Sequence, residues 1–139
     1  MIAIALAQEL AGAGLRWQPR SGDTFTIPGE AFEGESFAVS ELTIEVHTYP
    51  SGQVLGFNGT TEWALDSVAV EDTLWLPRED QLRELLGQTF IALTRDDAAY
   101  VVHVVDAVTG EDDAYSAATP VDAYAQALLA LLVQADAAG

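Results

Sequence analysis

LWLPREDQLRELLGQTFIALTR, residues 74–95, changes its hydrophobic period part-way along. Up to Gly87 the leucines recur at helical spacing. Leu82, Leu85 and Leu86 fall at i, i+3 and i+4, which predicts one apolar stripe turned toward a core. Pro77 fixes its own φ and lacks an N–H, so it suits the first turn of that helix. Glu79 and Asp80 then sit where the helix dipole favours negative charge, and Gly87 supplies a left-handed stop. From Gln88 onward the period falls to two, the mark of a half-buried strand. A helix that runs straight into a strand points to an α+β domain.

Helix construction accounts for every residue from Leu74 to Gly87 except Trp75 and Arg78. One account packs Trp75 over a sheet and leaves Arg78 solvated or paired with a neighbouring acid. The other makes the two a partner-binding anchor, because tryptophan and arginine are the types most enriched in binding hot spots.

Working outward, residues 2–14 read as a helix with Ile2, Leu6 and Leu10 on one stripe, closed by Gly12 and Gly14. Alternation then predicts strands at 24–28, 36–40, 42–49 and 53–58, with Pro50-Ser51-Gly52 as a hairpin turn between the last two. Residues 60–73 carry only a weak pattern. After the helix come strands at 88–95 and 99–108, joined at Asp96-Asp97. The second is apolar on both faces and so suits a central position. The stretch TGEDDAYSA (109–117) reads as an acidic loop. Thr119-Pro120-Val121-Asp122 combines a cap, a first-turn proline and a first-turn acid, and opens a final helix. The predicted order is α-β-β-β-β-α-β-β-α: one α+β domain over 1–139, a mostly antiparallel sheet of about six strands with helices mainly on one face.

Twenty-two acids face five basic residues, all arginine, for a net charge of -17. Such a surface repels phosphate backbones and anionic lipids, which argues against direct nucleic-acid or membrane binding. Half the residues are apolar, so the chain should fold despite its charge. No apolar run reaches the roughly 18 residues of a spanning helix, and no basic segment precedes the first apolar run. A soluble, cytoplasmic protein is the expectation.

The absence of cysteine removes disulfides, thiolate metal sites and cysteine nucleophiles. There is no HExxH, P-loop, GxGxxG or GxSxG motif, and DAVTGEDD (106–113) fails the spacing of a calcium loop. No metal, cofactor or catalytic residue is therefore expected. The one polar constellation is Glu45 and His47, two apart on the wet face of a strand, which with Asn58 would form a pocket; His103 is flanked by Val101 and Val105 on its own face and reads as structural.

FNGTTEWALDSV (57–68) followed by LWLPREDQLRELLG (74–87) resembles a group of small acidic bacterial proteins sometimes labelled pilus-assembly proteins. That resemblance spans most of the chain and brings no catalytic motif. The C-terminal half, ending in TPVDAYAQALLALL (119–132), is similar to phage-type α-β-α sandwich domains, which implies α+β architecture and no functional residue.

These observations favour a non-catalytic protein-binding module with a strongly acidic surface. The alternatives are a small-molecule enzyme or ligand-binding protein using the Glu45/His47 face, and an acidic inhibitor or mimic of a nucleic-acid enzyme. The final helix has leucines on more than one stripe, so it is either buried on two sides or forms a homodimer.

Overall fold

The computed structural model describes residues 1–29, 34–40, 44–57 and 67–138. In chain order its elements are α1 (Ile4–Gly12), β1 (Thr24–Thr26), β2 (Phe37–Ala38), β3 (Ile44–Tyr49), β4 (Gly52–Phe57), β5 (Ser67–Ala69), β6 (Leu74–Trp75), α2 (Glu79–Leu86), β7 (Phe90–Arg95), β8 (Tyr100–Val105), β9 (Asp112–Ala117) and α3 (Pro120–Ala138). The class is α+β. The expected six-stranded sheet is corrected: the described strands form three antiparallel sheets of three, ordered β2-β1-β6, β3-β4-β5 and β7-β8-β9. Contacts group the chain into two compact units, Arg16–Leu76 and a second made of Met1–Leu15 with Pro77–Gly139.

In the Arg16–Leu76 unit, Phe25, Ile27, Val39, Ile44 and Leu55 form a buried core, against which Trp17, Phe37, Val46 and Val68 pack. Its aromatic centre is continuous: the Phe25 ring lies 5.4 Å from Trp17 and 5.5 Å from Phe37. Asp23 is buried at their edge with 3 % exposure. One of its carboxylate oxygens accepts the Trp17 indole N–H at 3.0 Å and the Arg20 backbone N–H at 3.1 Å. These bonds offset the desolvation that would otherwise penalise a buried charge. The β3–β4 hairpin turns at Pro50-Ser51, with Tyr49 paired to Gly52 and Gly52 at φ +135°.

In the other unit, α3 packs against α1, α2, β8 and β9. Val121, Ala123, Tyr124, Ala125, Ala127 and Leu128 are all buried, whereas Leu129, Leu131 and Leu132 are half-buried and Val133 is exposed. Thr119 caps it as expected, its hydroxyl accepting the Asp122 N–H at 3.3 Å. Asp122 in turn accepts the Ala3 N–H at 2.8 Å, tying the start of α1 to the first turn of α3. Helix α2 begins at Glu79, because Arg78 is still extended at φ -81° and ψ 163°. Pro77 therefore precedes the cap. The Gln81 side chain accepts the Arg78 N–H at 2.9 Å, closing the helix entrance. Leu82 and Leu86 are buried, but Leu85 is 44 % exposed and leaves the predicted stripe. At 100° per residue it lies on the flank of the Leu82/Leu86 line, outside the narrow face that the unit covers.

Strand β8 is central, as its two apolar faces predict, and Val102 at its middle is fully buried. Asp96 makes the β7–β8 turn, its Oδ1 accepting the N–H groups of Ala98 and Ala99 at 2.9 and 2.8 Å. The stretch expected as an acidic loop is corrected: DDAYSA is strand β9, paired with β8 from Asp112↔Val105 to Ala117↔Tyr100. Its acids suit an edge strand, where charge discourages pairing with another chain.

Candidate partner-binding groove

A concavity lies in the second unit, where the end of the β8–β9 hairpin meets the C-terminal half of α3. Its volume is about 450 Å³. The floor is apolar: Leu86 ends α2, Val104 comes from β8, and Ala127, Leu131 and Ala135 come from α3. Those three α3 positions recur at i, i+4 and i+8, so they form one line along the helix. Two of the three are alanine, and their small side chains leave the space unfilled.

The rim is acidic. Asp106, Glu111, Asp112 and Asp113 all border the groove, and none of its lining residues is basic. The turn that carries the rim is held tightly. Asp106 Oδ1 accepts the N–H groups of Val108 and Thr109 at 2.7 and 3.1 Å, and the Asp106 N–H donates to Glu111 O at 2.8 Å. Gly110 takes φ +74°, which permits the closure. The Thr109 and Val108 amides hold the Asp106 carboxyl below its ordinary range, so this part of the rim stays charged into mild acid. Tyr115 reaches the groove from β9 and donates its hydroxyl hydrogen to Asp113 Oδ2 at 3.2 Å. Partial burial, followed by the Asp113 charge, pushes the Tyr115 phenol up.

Trp75 sits in β6, paired with Phe25 and stacked on Trp17 at 6.5 Å with 11° between the planes. Its indole nitrogen is buried without a hydrogen-bond partner among the described residues. Arg78, in the other unit, directs Nε to Asp80 Oδ1 at 3.2 Å with both side chains largely solvated. His47 lines a shallow cleft of about 340 Å³ with Arg20, Ser21, Ser40 and Val46. Its ring lies 6.4 Å from that of Tyr49. Asn58 and the side chain of Glu45 lie outside the described residues.

No protein-family model, curated protein or solved structure matches the chain. Among the described residues no three His, Asp or Glu side chains are grouped so as to hold a metal ion. His103 bonds Thr94 across the β7–β8 pair at 2.8 Å. No described helix is long and apolar enough to cross a membrane.

The groove was not foreseen from sequence. Its floor and rim come from segments that are separately unremarkable, an alanine-rich helix end and an acidic run, and only the β8–β9 register brings them together.

Proposed function

We propose that this chain is a non-catalytic protein-binding module that receives a basic partner, acting in the cytoplasm. The observation that carries the reading is the groove with an apolar floor and an acidic rim. In a chain of net charge -17, long-range attraction would speed encounter with a basic protein, while an apolar floor would supply short-range affinity. Immobilised protein exposed to an extract of its own cells should retain a basic protein at low salt and release it at high salt. Retention that is indifferent to salt, or turnover of a small substrate by the purified chain, would overturn the proposal.

A second reading is favoured by the cleft beside His47, which Arg20, Ser21 and Ser40 also line. It makes this face a small-ligand or substrate site that includes Glu45 and Asn58. An activity abolished by His47→Ala in a protein with an unchanged melting curve would select it over the first.

A further inference from the structure

We infer that the groove takes an extended partner segment in which one large apolar side chain stands between arginines or lysines. This deepens the protein-binding reading and rests on it. The floor line from Ala127 to Ala135 covers nine residues of helix, eight steps of about 1.5 Å or roughly 12 Å. An extended chain covers that length with about four residues. The floor thus matches a short segment rather than a point contact.

The chemistry of the segment follows from what is already satisfied. Asp106 is occupied by its own turn, and Asp113 accepts the Ala114 N–H at 3.0 Å as well as the Tyr115 hydroxyl. The Glu111 and Asp112 side chains make no hydrogen bond or ion pair among the described residues, and both are exposed. They are the rim carboxylates open to an incoming cation. Val108 is 93 % exposed at the tip of the same turn, an apolar side chain held in water beside an apolar floor. An acidic or purely polar segment would leave Leu131 and Val108 wet and bring like charges together. A purely apolar segment would bury the rim carboxylates unpaired. The turn's internal bonds fix the rim before binding, which limits the entropy lost on association.

The probes are short synthetic peptides with capped ends: Arg-Arg-Leu-Arg-Arg, the same peptide with glycine at its centre, and Glu-Glu-Leu-Glu-Glu. Each is titrated into the full chain while amide signals are followed by NMR. The leucine-centred basic peptide should shift the amides of 104–113 and 131–135. The glycine version should bind about tenfold more weakly, and the acidic version should leave the spectrum unchanged. Ala135→Trp adds bulk from an exposed helical position and should reduce affinity about tenfold. The double variant Glu111→Gln, Asp112→Asn should weaken binding and flatten its salt dependence. Equal binding of the leucine and glycine peptides, with shifts scattered over the acidic surface, would overturn the groove while leaving a basic partner in place. No shift with either basic peptide would overturn both.

Discussion

Asp23 and Asp112 are the same residue type in the two units, and they meet opposite surroundings. Asp23 is buried in Arg16–Leu76 and bonded to an indole and a backbone N–H, so its charge organises a core. Asp112 stands exposed on an edge strand, at the rim of an apolar groove, with its side chain bonded to nothing among the described residues. A net charge of -17 therefore hides two roles: one carboxylate serves the fold, while others face outward where a partner can reach them. Charge counts bound what the protein avoids, but burial and hydrogen bonding decide what each acid does.

The largest effect that could break this comparison is loss of the aromatic core beside Asp23. Phe25→Ala removes a ring with no exposed surface and should cost about 3–5 kcal/mol in chemical denaturation. A smaller value would mean that the core is looser than its ring contacts imply. Asp23→Ala strands the Trp17 and Arg20 donors and should cost about 1–3 kcal/mol, whereas Asp112→Asn should leave the melting temperature unchanged and act only on binding. Equal effects on stability would erase the distinction between the two acids.

Gly87→Ala sharpens the account of the second unit. With φ +59° and ψ -130°, this position lies where a Cβ is strained, and the variant should lose about 1–3 kcal/mol by thermal melting. The tryptophan pair gives a smaller contrast. Trp17→Phe leaves a buried carboxylate short of a donor, while Trp75→Phe removes an indole N–H that has no partner among the described residues, so the first should destabilise more than the second.

The smallest effect is on pH. Backbone N–H bonds lower the folded pKa of Asp96 and Asp106, those from Ala98 and Thr109 being the larger contribution in each case. A folded pKa below the unfolded one means that the stabilisation is present above the ordinary aspartate range and is lost as pH falls through the depressed value. The Ala98, Ala99, Val108 and Thr109 amide shifts should therefore titrate at lower pH than a free aspartate. Titration of the Val108 and Thr109 shifts at the ordinary value would deny the preformed rim.

Much of the local structure was legible in the sequence. The change of period after Gly87, the Pro50-Ser51-Gly52 turn, the Asp96 turn and the Thr119 cap each rest on interactions within a few residues, and each is present. The arrangement of strands was not legible. Alternation shows that a segment suits a sheet, but pairing partners lie far along the chain, so strands that form three sheets read as one. Strand β9 lacked even alternation, because Tyr115 and Ala117 are its only half-buried residues and its extended shape comes from β8. Leu85 was misplaced for a related reason: helical spacing marks a stripe, while the width of the covering face depends on neighbours. The groove combines both difficulties, since it is a gap left by alanines beside a turn that reads as a loop.

Hydrogen exchange of the full chain, with and without the basic protein captured from its own extract, tests the central claim most directly. The account predicts added protection in 104–113 and 127–135, with the segments around Arg20 and His47 unchanged. Protection confined to the Arg20–His47 cleft, with the groove exchanging as before, would contradict it.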